Sequence, residues 1–498
     1  MSALPVLILA PMLLFAFLSI LVGLWRQTLA YVAAVVGVTI SLAAAIIGLF
    51  RVLTEGEQRH FFGGWSPPFG IEYVLDPLSA FMSIIIVFIG FIVLVYPPGA
   101  GLYHVPRKGI PLYGMTMLLF AGLLGVVLTG DLFNLFVFLE IYSLASYTLI
   151  TLGGRRALVA SFRYLILGTI AGGLYLLGVG FIYFSTGSLN MADVARLLPA
   201  MYDSPAIIAA AALIVTGLCI KMALFPLHVW LPDAHSYAPS VIAAILASVQ
   251  IEVAAYVLIR MFLSVFQPAY FSEFLPITAI IGWCGAAAII IGSIMAIAQK
   301  DFKRMLAYST VGQIGYIALG IGLANPLGLI GALLHILNHA FMKSCLFLVA
   351  GGIRHETGLR EIAWFVGLGR RMPIMMTAFT IAALSMVGIP PTAGFFSKWY
   401  LILGSIDAGN WTFAAVIVAS SLLTAVYFFR VIEKVWAHEP PLSSETDTPQ
   451  RIEPPARILM PILTLAAGIL ILGLINAVIV TQILERVAAP LQNIVGGG

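Results

Sequence analysis

The chain has 498 residues, 61% of them hydrophobic and 9% charged, with a net charge of +4 and a mean hydropathy of +1.07. A soluble domain carries about 25% charged residues, so this balance excludes a soluble globular enzyme, and the apolar fraction excludes disorder. With so small a net charge and no basic run, nothing points to a nucleic-acid partner.

Fourteen apolar segments follow one another, near 3–25, 28–50, 77–97, 112–130, 132–152, 161–186, 206–227, 240–265, 275–298, 305–324, 328–351, 373–404, 410–433 and 456–483. At roughly 20 residues per spanning helix they predict an all-α polytopic membrane protein. No strand alternation with turn signals appears, which excludes a β-barrel. The first Lys or Arg is Arg26, so the first apolar run lacks the basic start of a cleaved signal and reads as a retained span. The longest polar stretches are 51–76, with Arg51, Glu55, Glu57 and Arg59, and 434–455, with Glu439, Glu445, Asp447 and Glu453.

Loops after the odd-numbered segments share one side of the membrane. They collect Arg26, Arg107, Lys108, Arg155, Arg156, Arg163, Lys300, Lys303, Arg304, Arg354, Arg360, Arg370, Arg371, Arg430, Lys434, Arg451 and Arg457, which is 17 of the 25 Lys and Arg residues. The opposite side holds Arg51, Arg59, Arg196, Arg260 and Arg486. The positive-inside rule therefore predicts a multi-pass protein of the inner (plasma) membrane with both termini outside.

Three lysines, Lys221, Lys343 and Lys398, fall within predicted spans, as do the carboxylates Glu140 and Glu252. A charge at the bilayer centre costs roughly 2.5–3.5 kcal/mol, so a purely structural span would use Leu instead. Snorkelling or a fixed internal pair accounts for one such residue. Five of mixed sign on five segments favour a charged pathway.

In chain order, Glu140 comes first, with Ser143 and Tyr147 at helical spacing on its face. Lys221 precedes Pro226 in the seventh segment, and proline removes a backbone hydrogen bond and breaks or kinks a helix. Carbonyls freed at that depth must line a cavity or be buried in protein. His228 and His235 follow the break as candidate proton-entry residues, or as ordinary loop histidines. In the eleventh segment His335, His339 and Lys343 recur every four residues, a stripe about 12 Å long. Two histidines at that spacing can bind a metal, but no HExxH pattern or nearby cysteine accompanies them. Proton relay suits them better, because neutral imidazole both donates and accepts a hydrogen bond. The twelfth segment carries Gly388, Pro390 and Pro391 at its middle and Lys398 beyond, which predicts a second broken helix.

Two broken helices five segments apart predict an inverted repeat of segments 4–8 and 9–13, with boundaries at 111–266 and 267–436. Residues 1–110 then form an N-terminal three-helix part, and 437–498 a polar loop with the last helix. ILASVQIEVAAY (245–256) matches IVASSLLTAVY (417–427) weakly, at the same offset. The three cysteines, Cys219, Cys284 and Cys345, lie far apart and offer no metal or disulfide framework. No dinucleotide-binding or phosphate-loop motif is present. No metal or cofactor is therefore expected on this chain, which is no enzyme by itself, and any redox chemistry belongs to partner chains.

FLEIYSLASYTLI (138–150), KMALFPLHVWLPDAHSYAPS (221–240), AYSTVGQIGYIALG (307–320) and GIPPTAGFFSKW (388–399) resemble the antiporter-like subunits shared by respiratory complex I, Mrp-type cation/proton antiporters and membrane-bound hydrogenases. The likeness runs from about residue 70 to 435. It implies fourteen helices with inverted five-helix repeats and broken helices 7 and 12. It also implies proton-transfer roles for Glu140, Lys221, His335, His339 and Lys398 inside a larger membrane assembly, with protons and Na⁺ as candidate cargo. One position departs from the family: where a central lysine is usual, this chain has Glu252. That carboxylate can relay protons, or it can pair with Lys221 or Lys343 as a static clasp. A self-contained transporter of an organic solute and an inactive membrane scaffold are the alternative readings.

Overall fold

A chain this apolar finds few hydrogen-bond partners in lipid except its own backbone, and helices satisfy interior N–H and C=O groups locally. The structure is a computed structural model that describes residues 2–96, 109–439 and 451–495. Arg107, Lys108, Glu445 and Asp447 of the loop-charge pattern lie outside the described residues. The main helices are α1 (Leu4–Gly23), α2 (Gln27–Glu55), α3 (Pro77–Val95), α4 (Gly109–Leu128), α5 (Leu132–Thr151), α6 (Arg155–Thr186), α7 (Pro205–Lys221) and α8 (Ser240–Val265). They continue with α9 (Ile277–Ile297), α10 (Phe302–Gly322), α11 (Pro326–Thr357), α12 (Pro373–Val387), α13 (Ala393–Asp407), α14 (Trp411–Trp436) and α15 (Ala456–Leu474).

Among the described residues twelve helices are long and apolar enough to cross a membrane, against fourteen expected segments. The difference lies at segments 206–227 and 373–404. Helix α7 stops at Lys221, Ala223 takes φ +54°, and a short helix, Leu231–Tyr237, follows Pro226. Helix α12 stops at Val387, where Gly388 caps it at φ +93°, a conformation that costs glycine no Cβ clash. After Pro390 and Pro391 the chain resumes as α13. Both predicted breaks are present, and each leaves a helix too short to span alone.

Two further differences concern the ends of elements. Helices α6, α10, α11 and α14 run beyond the apolar segments, so Arg155, Arg156, Lys303, Arg304, Arg354 and Lys434 lie in helical turns rather than loops, and Arg163 and Arg430 are helical within the segments themselves. Lys and Arg are good helix formers, so the hydrogen-bond ladder continues through them. Strands, unexpected from the sequence, form an antiparallel hairpin of β1 (Gln58–Phe61) and β2 (Glu72–Leu75), with Arg59 opposite Val74 and Phe61 opposite Glu72. Four residues are too few to display an alternation.

The central turns of helices α8 and α11 are enclosed by the other helices. Close packing elsewhere uses small residues: a Cβ at Gly315 of α10 would stand 2.7 Å from the Gly285 carbonyl of α9. Ser2 and Arg486 both meet the hairpin end of the bundle. Ser2 N donates to the Arg59 carbonyl (3.0 Å), and Arg486 donates to that of Leu53 (2.8 Å).

Candidate functional site

Helix α5 presents Glu140 and Ser143 one turn apart towards the end of α7, where Lys221 is the last helical residue. Lys221 Nζ donates to Ser143 Oγ (2.7 Å) and to Glu140 Oε1 (3.2 Å), and it faces the Tyr142 ring at 5.8 Å. The ammonium group also sits at a helix C-terminus, which favours a cation. Lys221 is buried, whereas the Glu140 side chain keeps 26% of its surface exposed, so the carboxylate is the partner with room to move. Tyr147 lies one turn further along and packs edge-on against Tyr164, 4.7 Å away.

The break in α7 is tied to the centre of α8. Trp230 Nε1 donates to the Ile220 carbonyl (2.9 Å), and its indole stacks on Tyr164 at 3.9 Å. The Tyr164 hydroxyl accepts from Gln250 Nε2, and Gln250 Oε1 accepts from Ser146 Oγ (2.8 Å). Gln250 closes a π-helical turn, Leu246–Gln250, a distortion that recurs at functional sites. Two residues on stands Glu252, fully buried.

Glu252 is paired with neither Lys221 nor Lys343. Its Oε1 lies 2.5 Å from His339 Nδ1 of α11, within hydrogen-bond distance. Each remaining polar atom of this pair, Glu252 Oε2 and His339 Nε2, lacks a hydrogen-bond partner among the described residues. The His335 ring lies 6.2 Å from that of His339, nearly parallel. His335 Nε2 is 3.0 Å from Gln313 Oε1, and Nδ1 is 3.0 Å from Ser397 Oγ. Ser397 precedes Lys398, whose Nζ donates to the carbonyls of Met386 and Val387 (2.9 Å each) and to Ser421 Oγ (3.1 Å). Those carbonyls are freed where α12 ends, so the second break supplies the seat for the second lysine. Lys398 Nζ also faces the Tyr316 ring at 4.9 Å.

Lys343 takes a separate place. Its Nζ donates to Ser309 Oγ (2.5 Å) and to the Leu306 carbonyl (2.8 Å) of α10. His235 is fully enclosed, 6.2 Å from Trp230 and 6.3 Å from Phe347, with both ring nitrogens unpartnered among the described residues. His228 is half-buried beside Phe225. Neither histidine bonds to Lys221 or Glu140. Pro226, Pro390 and Pro391 all lie within the breaks. Among the described residues no three His, Cys, Asp or Glu side chains are placed to hold a metal ion.

Gln250, Gln313, Ser309, Ser397 and Tyr316 join these groups and were not singled out from the sequence. Gln250 and Ser397 flank named charges, and a polar residue two or one positions from a buried charge is a readable signal. For Gln313 and Ser309 the signal was only their position inside the AYSTVGQIGYIALG stretch.

Over residues 129–424 the sequence matches the family described as NADH:quinone oxidoreductase/Mrp antiporter, TM. The chain belongs to this family of membrane subunits. It is 52% identical over 456 residues to the N subunit of the NADH-quinone oxidoreductase of Desulforudis audaxviator, covering 89% of this chain and 90% of that one. It is 34% identical over 415 residues to the D subunit of the Na(+)/H(+) antiporter of Alkalihalophilus pseudofirmus, covering 82% of each. A chain in the structure of the Mrp complex from Dietzia sp. DQ12-45-1b superimposes with a TM-score of 0.88 at 28% identity, over 98% of this chain and 97% of that one. The chain is thus a multi-pass, antiporter-like membrane subunit, and its relatives are subunits of multisubunit complexes.

Proposed function

We propose that this subunit translocates protons within a multisubunit membrane assembly, through buried Glu, Lys and His side chains that run from Glu140 to Lys398. The observation that carries the reading is the Glu252–His339 pair. It joins α8 to α11 at the enclosed centre through a carboxyl and an imidazole, side chains of the kinds that serve as proton donors and acceptors.

Two opposite charges about 4 Å apart interact by roughly 4 kcal/mol at an effective dielectric of 20. With Glu140 close, Lys221 keeps its proton; with Glu140 drawn away, burial favours the neutral amine and the proton leaves. It passes to Glu252 by way of buried water, past the hydrogen-bonded Ser146 and Gln250. His339 accepts it at one ring nitrogen while releasing another, and His335 and Ser397 lead it on to Lys398. Lys343 serves as a side branch through Ser309. His228 and His235, beyond the first break, are the proposed entry.

The broken helices α7 and α12–α13, each with a lysine at the break, support reading 111–266 and 267–436 as inverted repeats, with the hairpin end and both termini outside. Greater identity to the NADH-quinone oxidoreductase relative favours a redox-linked assembly whose electron chemistry is on other chains. Coupling to Na⁺ is the second reading, favoured by the Na(+)/H(+) antiporter relative. A solute carrier has less support, because these polar groups bond mainly to one another.

The test is flux in vesicles holding the complete complex, followed with a pH-sensitive dye. Normal flux in an assembled Glu140→Gln or Lys221→Ala complex overturns the reading. A requirement for Na⁺ on the trans side selects exchange over pumping alone.

A further inference from the structure

Helix α8 carries Glu252, Tyr256, Arg260 and Ser264 at intervals of four residues, so they share a face and step about 6 Å apart along the axis. The stripe begins at the enclosed centre with Glu252, whose Oε2 has no partner among the described residues. One turn on, the Tyr256 hydroxyl donates to the Val127 carbonyl (2.7 Å) and accepts from Arg260 Nη2 (2.8 Å). Arg260 then forks onto Asp76, with Nη1 to Oδ2 at 2.5 Å and Nη2 to Oδ1 at 2.9 Å, while Ser264 Oγ lies 3.4 Å from Nη1.

This end of the stripe opens on a cavity of about 150 Å³ at the hairpin end, lined among others by Glu57, Arg59, Glu72, Asp76, Arg260 and Ser264. It has room for several waters. Three carboxylates face two guanidinium groups, so the mouth carries an excess of negative charge, which concentrates cations. Burial works against the charge of Asp76, but Arg260 and the Ser79 amide outweigh it and hold the carboxyl at about 2. Asp76 therefore stays ionised and cancels the positive charge of Arg260, which alone would repel a proton.

A clamp between α3 and α8 explains the Arg260–Asp76 fork. It does not explain the acidic, water-sized cavity beside the fork, nor the unmet carboxylate oxygen one turn behind Tyr256. We propose that the α8 stripe is a second proton opening, linking Glu252 to the hairpin-end cavity in addition to the route through Lys398. This rests on the proton-translocation reading above. With its hydroxyl proton directed at Val127, Tyr256 holds the opening closed. When the hydroxyl turns to cavity water, it receives one proton from the Glu252 side as it releases its own, with no net change on the phenol.

The test uses the complete complex in vesicles. Tyr256→Phe keeps the ring and removes only the hydroxyl, and it should lower proton flux at least twofold at unchanged complex yield. In a Ser264→Cys complex, a membrane-impermeant cationic thiol reagent should label the cysteine from one side only, the side bearing the chain termini. Labelling should slow flux severalfold relative to the same complex unlabelled, with the reagent-treated parent as control. Absence of labelling from either side, or complete labelling without slowing, overturns the proposal, as does unchanged flux in Tyr256→Phe. If Glu140→Gln also conducts normally, the transport reading itself has failed. If Glu140→Gln is dead while these variants conduct at full rate, only the opening is refuted.

Discussion

Glu252 Oε1 and His339 Nδ1 stand 2.5 Å apart, both side chains wholly enclosed between α8 and α11. This contact changes the question posed by the charge reversal at position 252. The carboxylate does not lock a lysine; it bonds a neutral-capable base. If the pair relays protons, Glu252→Gln keeps the shape and a hydrogen bond but cannot take up a proton, and flux should fall about tenfold or more in an assembled complex. If the pair is only a clasp, the same variant leaves flux normal, and Glu252→Ala lowers complex yield, since breaking a buried pair costs about 3–5 kcal/mol. Glu252→Lys should retain some flux as a relay. Flux and yield measured side by side decide between the two roles.

The Glu140–Lys221 pair should be indispensable for flux and dispensable for assembly. Glu140 is partly exposed, so its loss leaves Lys221 bonded to Ser143. We expect Glu140→Gln to abolish dye-detected proton flux while the complex is still recovered at parental yield.

Gly172 of α6 offers a test that removes no titratable group. A Cβ there would stand 2.3 Å from Glu140 Oε1, the end of a flexible side chain. Gly172→Ala should push the carboxylate off its 3.2 Å contact with Lys221 at little cost to folding, within about 1 kcal/mol. Severalfold slower flux with an unchanged thermal midpoint is the expected outcome; parental flux would mean that the Glu140 position does not matter.

Lys398 both carries charge and seals the end of α12. Lys398→Ala leaves the Met386 and Val387 carbonyls without their donor, and each unmet buried group costs about 1–3 kcal/mol. The variant should therefore lower the thermal midpoint as well as flux, in contrast to Glu140→Gln. Equal midpoints for the two variants would contradict this.

The Asp76–Arg260 fork carries a pH signature. The Asp76 carboxyl is held at about 2 in the folded chain, below its ordinary value near 3.9 when unfolded. A depressed carboxyl stabilises the fold above the unfolded value, and that contribution fades as pH falls towards 2. Thermal stability of the purified complex should drop over this acid range, and the Asp76→Asn complex should show a shallower drop. Identical slopes would remove Asp76 as the cause.

Much of this protein was legible in the linear chain. Fourteen apolar segments, two breaks at Pro226 and Pro390–Pro391, and the intramembrane lysines and carboxylates are local facts: each depends on composition or on a backbone that proline and glycine cannot continue. The hairpin of β1 and β2 was not legible, because four-residue strands are stabilised by long-range pairing such as Arg59 with Glu72.

The sequence by itself determined which residues are too costly to bury alone, because the cost of a charge in an apolar span does not depend on its neighbours. Which partner offsets that cost was decided only by the tertiary structure. Glu252 could have met Lys221 or Lys343, yet it meets His339, because the rotation of α8 against α11 sets which faces touch. The seat of Lys398 likewise depends on α13 packing so that its ammonium group reaches the carbonyls that the break in α12 frees. Spacing along one helix is written in the chain; the register between two helices emerges only when their side chains pack.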